Sequence, residues 1–549
     1  MDNVLFIVPP NISFGSFVHP AANERVVSKL SGNYGSIVNE IPIGILSLSS
    51  YIKEKAHAQT KLIDFNIVIN KQNSFTWESF AALFQEMLSS KEIADFAPSI
   101  IGISALFTPS YQSLLDIAWC SKELYPRSLV IAGGGVPTNM FSTIFNDSSC
   151  FDALCYGEGE LPLLGLLQAD NKQKYLDETL SWITRKTVAN NETPALDLIE
   201  NLDEIPFLDF DLLHVDDYMS NSINSLFPLA QKQLKNIGYM TSRGCVHRCC
   251  FCSSHTVHGR KMRYHSVQRV REELEHLITT YGAGNIIFYD DHFMANKKRV
   301  MDIIDTMKFL GLTAFFPNSL ALYALDRNIL EALKGIGVNH LVLSVESGSG
   351  RVLKEIMHKP LNPAIVEQVV KDCRDLGIAT DLSILIGLPG ETKQDIENAR
   401  IFLRSLTPNW FRISIATPLA GSEMLEICVD NDYLRGDYLS CDFKKAIIET
   451  ADFTPEYIVE KAYELNLELN FVANSDFRLG NYSVALKGFE NTIRVKSYHA
   501  LAHYCAAKCC KKLGLDSQYQ RHKAAYHQVI SESDYWANYA RLFELTDLD

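Results

Sequence analysis

No apolar run in this 549-residue chain approaches the ~20 residues a helix needs to cross a bilayer. No basic leader precedes the first apolar run, Val4-Leu5-Phe6-Ile7-Val8, so no secretory signal is read. Positive charge is scarce: 51 Lys and Arg stand against 65 Asp and Glu, a net charge of −14. That balance argues against a nucleic-acid partner, because neutralising phosphates needs a basic surface. The dinucleotide spacing G-x-G-x-x-G is missing. The 13 cysteines are spread along the chain and read as free thiols rather than a disulfide framework. These absences predict a cytoplasmic protein in a reducing compartment. With 47% apolar and 21% charged residues, the composition is that of ordinary globular domains, and the length exceeds one core.

What is present is concentrated in Ser242-Arg243-Gly244-Cys245-Val246-His247-Arg248-Cys249-Cys250-Phe251-Cys252. Three thiolates on one short loop can hold three corners of an iron–sulfur cube and leave the fourth iron open. A cluster closed by four cysteines only moves electrons; an open corner can bind a cosubstrate. Structural zinc sites favour a second C-x2-C pair or histidines farther along, and His247, His255 and His258 keep that alternative open. The basic run His258 to Arg263 reads as a solvated turn before a helix.

The C-x3-C-x2-C triad with an aromatic before its last cysteine resembles the signature of the radical SAM superfamily. The resemblance implies that Cys245, Cys249 and Cys252 ligate a 4Fe-4S cluster, with Cys250 a bystander. It also implies that S-adenosylmethionine chelates the open iron and yields a deoxyadenosyl radical, with Phe251 against the adenine. Behind the triad, Ile237 to about Asp430 alternates strands and helices, with polar and glycine residues at the carboxyl ends of six strands. This fits a partial (β/α)6 barrel. The superfamily resemblance places Asp290 or Asp291 near the methionyl amino group, Ser344 and Glu346 near the ribose, and Gly387 and Leu388 near adenine.

The first ~165 residues also alternate strands and helices, as in a parallel sheet covered on both faces. Their glycines gather at strand ends, where ligands of open sheets bind. Pro42-Ile43-Gly44, Gly133-Gly134-Gly135 and Gly157-Glu158-Gly159-Glu160 together resemble the Rossmann-like cobalamin-binding domain found ahead of many radical SAM domains. That resemblance implies a corrinoid held near Ser104, Gly133, Gly134, Gly135, Gly157, Glu158 and Gly159. The D-x-H-x-x-G motif that supplies a histidine beneath cobalt is absent; Asp290-Asp291-His292 lacks its glycine and lies in the other domain. The long first loop, Pro9 to about Ile41, is expected to reach over the ligand.

The expected organisation is therefore an α/β chain: a cobalamin-binding domain over 1–165, a linker over 166–236, a radical SAM barrel over 237–430 and an all-helical domain over 431–549. In that last part, Leu479-Gly480 and Leu513-Gly514 recur 34 residues apart and resemble a tetratricopeptide unit. It is read as a cap on the barrel or a docking module. Cys505, Cys509 and Cys510 fall there on helical spacing and are expected to be buried small apolar residues.

The two resemblances together imply a cobalamin-dependent radical SAM methyltransferase acting on an unactivated carbon, fed by an external electron donor such as flavodoxin or ferredoxin. The alternatives are a cyclase or oxidoreductase with the same cofactors and an RNA methylthiotransferase. The last would need a second cysteine triad, and Cys120, Cys150 and Cys155 fall on helix and strand segments instead. No position in the sequence identifies the substrate, read only as a small or natural-product-like molecule.

Overall fold

The computed structural model describes residues 2–20, 26–219, 234–440, 443, 445–545 and 548. The chain opens with β1 (Asn3–Val8), a hairpin of β2 (Val26–Lys29) and β3 (Gly32–Gly35), then β4 (Gln59–Asp64), β5 (Ile100–Ser104), β6 (Leu129–Gly133), β7 (Ala153–Cys155) and β8 (Trp182–Ile183). Five of these pair in parallel in the order β4-β1-β5-β6-β7, and β8 joins antiparallel at the edge. Val4, Leu5, Ile100, Ile101 and Val130 are fully buried, as unbroken apolar strands between two helical layers must be. The order reverses between β1 and β5, the switch point at which open sheets of this kind form their crevice.

Two features of this unit differ from expectation. The loop after β1 has structure of its own: a short helix, Phe14–Val18, and the β2–β3 hairpin. Phe14, Phe17, Tyr34, Phe75 and Phe80 stack into one aromatic cluster that fixes it. Residues 21–25 of the loop, like residues 220–233 of the expected linker, lie outside the described residues. The boundary expected at 165 falls inside the helix Glu160–Gln168, and the sheet continues to β8. A two-residue strand carries no periodicity, so only its buried Trp182 marks it.

The second unit holds β9 (Asn236–Tyr239), the short ladder of β10 (Ser242–Arg243) with β11 (Arg263–Tyr264), then β12 (Asn285–Phe288), β13 (Thr313–Phe315), β14 (His340–Glu346), β15 (Ala379–Ile386) and β16 (Trp410–Ile415). The six expected barrel strands are parallel and in chain order, but they split into β9-β12-β13 and β14-β15-β16. One bridge, Leu320 to Leu343, joins the halves. The crossover helices are closed by local chemistry. Ser266 and Asn296 cap the starts of Val267–Tyr281 and Lys297–Leu310, and Gly282 and Gly311 end them in the left-handed conformation.

The helical tail begins at Pro455, capped by Thr454. Gly480 and Gly514, the repeated glycines, both adopt positive φ after a helix. Cys505, Cys509 and Cys510 are buried within Ala500–Leu513. The tail is fastened to the barrel edge: the Asn470 amide accepts from Phe411 N and donates to Phe411 O, both at 2.8 Å. A side chain thus supplies the pairing that a seventh strand would give β16, and blunts the exposed edge. Glu468 pairs with Arg400 and Arg404, and Asp476 with Arg374. This is the behaviour of a cap on the barrel.

Candidate functional site

The cysteine loop springs from β10 and returns through β11, so its base is a ladder only two residues long. Asp290, at the end of β12, secures its entry. It accepts from Thr241 N (3.0 Å), Thr241 Oγ1 (2.7 Å) and Ser242 Oγ (2.5 Å). Arg299 ties entry to exit by donating to Thr241 O and to His265 O. Gly244 has φ +92°, and a Cβ there would stand 2.4 Å from Lys261 O, so the loop closes only with glycine.

Within the loop the four cysteines separate. Cys250 is buried, with its backbone held by Met357 O and Met424 N, and packs into the barrel core. Cys245, Cys249 and Cys252 remain half-buried. Burial raises the thiols of Cys245 and Cys249, Cys249 to about 11, and the neighbouring cysteines add to it; Lys359 acts the other way on Cys249. Among the described residues, no three His, Cys, Asp or Glu side chains converge on a single metal ion. A cube asks something different, one thiolate per iron, and three half-exposed thiols on one loop fit that demand.

The expected S-adenosylmethionine contacts are distributed unevenly. Both Asp290 oxygens are spent on the loop base. Asp291, beside it, makes no side-chain hydrogen bond among the described residues; burial raises its carboxyl, and it lies within the electrostatic reach of Cys245 and His258. Phe251 packs half-buried against the barrel core. Ser344 is half-buried on β14, and Glu346 ends that strand at φ +67° with Lys359 Nζ 3.1 Å away. A non-glycine residue held at positive φ is strained backbone of the kind found at working sites. Gly387 and Leu388 are buried, and their N–H groups donate to Glu391 Oε2. Glu391 Oε1 has no partner among the described residues, and burial lifts the carboxyl to about 7.

Of the residues expected around a corrinoid, Ser104, Gly133, Gly134 and Gly135 assemble at the switch-point edge of the sheet. Ser104 pairs with Gly133, and Ala105 N donates to Gly133 O. Gly134 has φ +98°, and a Cβ there would meet Ala105 O at 2.7 Å; one on Gly135 would meet Leu106 O at 3.0 Å. Exposed Leu106 and Phe107 follow. These half-buried glycines beside exposed apolar side chains form a candidate cradle for a large flat ligand. Gly157 and Gly159 are closely packed as well: added Cβ atoms would stand 2.3 Å from Leu196 and 3.0 Å from Leu48. Glu158 does not face this cradle. It is buried against Arg243, Arg263 and His258.

The cradle and the cysteine loop are neighbours. Helix Gly135–Asp147, which leaves the triple glycine, touches helix Ser254–His258, which leaves the cysteines. Tyr323, which contacts the cysteine loop, was not singled out from the sequence. Tyr323 Oη bridges His247 Nε2 (3.0 Å) and His292 Nε2 (2.6 Å), and burial lowers His292 to about 4. Arg263, expected on a solvated turn, is buried. Neither the Tyr323 bridge nor the burial of Arg263 has a local sequence signal, because each depends on partners from a distant segment. A groove of about 430 Å³, lined by Asp203, Tyr264, His265, Asn296 and Arg299 among others, contains none of the cysteines or cradle glycines and is separate from this junction.

Comparison with known proteins agrees with both halves. The family model of the radical SAM superfamily matches residues 239–403, and that of the B12 binding domain matches residues 38–167. An uncharacterized methyltransferase, PH0819, of Pyrococcus horikoshii is 29% identical over 468 residues, covering 84% of this chain and 91% of that protein. An anaerobic magnesium-protoporphyrin IX monomethyl ester cyclase of Rubrivivax gelatinosus is 22% identical, covering 75% of this chain and 69% of that protein. Among solved structures, the cobalamin-dependent S-adenosylmethionine radical enzyme OxsB, with aqua-cobalamin and S-adenosylmethionine bound, superposes with a TM-score of 0.57 at 16% identity, over all of this chain and 76% of its own. At that identity the likeness is one of fold.

Proposed function

Because the chain belongs to the cobalamin-binding radical SAM proteins, we propose that this enzyme methylates an unactivated carbon of a small molecule. When bound, the cluster with S-adenosylmethionine supplies a radical able to remove hydrogen from carbon, and methylcobalamin supplies the methyl group. The observation that carries the reading is the abutment of the glycine cradle and the cysteine loop through their outgoing helices. Two reactive groups must face one substrate, and holding them in fixed relation is the protein's main contribution.

In this reading Cys245, Cys249 and Cys252 hold the cluster and Cys250 anchors the loop to the core. Asp291 and Glu346 are the carboxylates left to meet the amino and ribose groups of S-adenosylmethionine, while Asp290 positions the loop. Backbone at Gly133, Gly134 and Gly135, with Leu106 and Phe107, receives the corrinoid. Electrons come from an external donor of the flavodoxin or ferredoxin type. No helix among the described residues is long and apolar enough to cross a membrane.

The test is transfer of label. Anaerobically reconstituted protein given hydroxocobalamin, a low-potential reductant and methyl-deuterated S-adenosylmethionine should carry the label on its corrinoid. Corrinoid that stays unlabelled while S-adenosylmethionine is consumed would favour the ring-closing or oxidative alternative over methyl transfer.

A further inference from the structure

The two-residue ladder that closes the cysteine loop pairs Arg243 directly with Arg263. Both are buried. Like charges opposite one another on a ladder repel, and burial removes the water that would screen them. The neutralising charge comes from the other domain. Glu158 accepts from Arg243 Nη1 at 3.0 Å, from Arg263 Nη1 at 2.9 Å and Nη2 at 2.5 Å, and from His258 Nδ1 at 2.7 Å. Glu160 takes the second Arg243 nitrogen at 2.7 Å, and Ser47 donates to Glu160 at 2.5 Å. Burial alone would raise the Glu158 carboxyl, but Arg243, His258 and Arg263 hold it well below the usual carboxylate range.

We infer that Glu158 is a positioning residue, which, by clamping both ends of the cysteine loop, sets where that loop stands relative to the glycine cradle. Three features support it. The fork to Arg263 is bidentate, so it fixes direction as well as distance. All three cluster cysteines lie between the two clamped arginines. Glu158 itself sits one residue beyond Gly157, whose helix-facing side is 3.2 Å from Val257 O for an added Cβ. Gly157 N also donates to Thr138 Oγ1 (3.1 Å) on helix Gly135–Asp147, which ties the clamp to the helix leaving the glycine cradle. The inference deepens the function proposed above and rests on its assignment of the two cofactors.

The experiment uses the full chain, reconstituted anaerobically with iron, sulfide and hydroxocobalamin and then reduced, so that cluster and cobalt are both paramagnetic. Electron paramagnetic resonance reads the magnetic interaction between them in wild type, in Glu158→Gln and in Glu158→Gln/Arg263→Gln. The double variant removes one charge of each sign and keeps the Arg243–Glu160 pair, so it folds even if the single variant does not. The expected result is wild-type iron and corrinoid content with an interaction that is weakened and broadened in the variants. A lowered melting temperature with an unchanged interaction would make Glu158 merely structural and overturn the inference. Loss of corrinoid with the cluster retained would assign Glu158 to the corrinoid itself and also overturn it. Wild-type protein that retains iron but no corrinoid overturns the cofactor reading first, and the inference with it.

Discussion

Gly421 lies against Asn139: a Cβ on the glycine would stand 2.1 Å from Asn139 Oδ1. The first residue follows the last barrel strand and the second belongs to the helix that leaves the triple glycine. The barrel's final turn is therefore fitted to the sheet domain's ligand edge. Gly421 has φ +80°, so Gly421→Ala carries backbone strain and must also displace Asn139 from its 2.8 Å bond to Gly135 O. The expected outcome is a loss of about 1–3 kcal/mol in thermal unfolding.

The two adjacent aspartates should separate cleanly. Asp290→Asn removes acceptors from a buried, fully used network and should lower stability by about 2 kcal/mol. Asp291→Asn should leave the melting temperature unchanged or higher, since a half-buried carboxylate with no hydrogen bond among the described residues is lost, yet weaken S-adenosylmethionine binding about tenfold. Calorimetric titration and thermal unfolding of both variants check this.

Glu391 gives a pH signature. Its carboxyl is raised from 4.5 to about 7 by burial, so the folded state binds the proton more tightly than the unfolded one. That contribution is fully present below pH 4.5 and is lost as pH rises to 7, by about 3 kcal/mol in total. Glu391→Gln should remove this slope. The measurement is the difference in unfolding free energy between wild type and variant from pH 4.5 to 7.5; a constant difference would contradict it.

Asn470→Ala should leave Phe411 N and O without partners at the barrel edge and cost about 2–3 kcal/mol. The variant should also associate more readily, because an uncovered strand edge is a template for another chain. Unfolding and light scattering test the two effects separately.

How much of this was legible in the sequence follows from the range of each interaction. The cysteine triad and the triple glycine are local patterns, and the structure keeps them together as local loops. The six barrel strands were legible because each is an apolar run ending in polar or glycine residues. The Glu158 clamp was not: its partners Arg243 and Arg263 lie far away in sequence, the latter by 105 residues. A charge whose partner is so remote looks like any other surface residue, which is why Glu158 read as a ligand contact and Arg263 as solvated. Asp290 and Asp291 were indistinguishable for the same reason, since only the fold sends one to Thr241 and leaves the other open. The hairpin in the first loop was missed because its stabilising rings, Phe75 and Phe80, come from beyond β4.

The central claim is that one chain holds both a cluster and a corrinoid. Wild type and the Cys245→Ala/Cys249→Ala/Cys252→Ala variant should be reconstituted anaerobically with iron, sulfide and hydroxocobalamin, desalted, and examined by ultraviolet–visible absorption with metal analysis. The account predicts that wild type retains iron, sulfide and corrinoid, that the triple variant retains corrinoid alone, and that Cys250→Ala keeps all three. Wild type that takes up iron and sulfide but releases its corrinoid on desalting, or a triple variant that keeps its cluster, would contradict it.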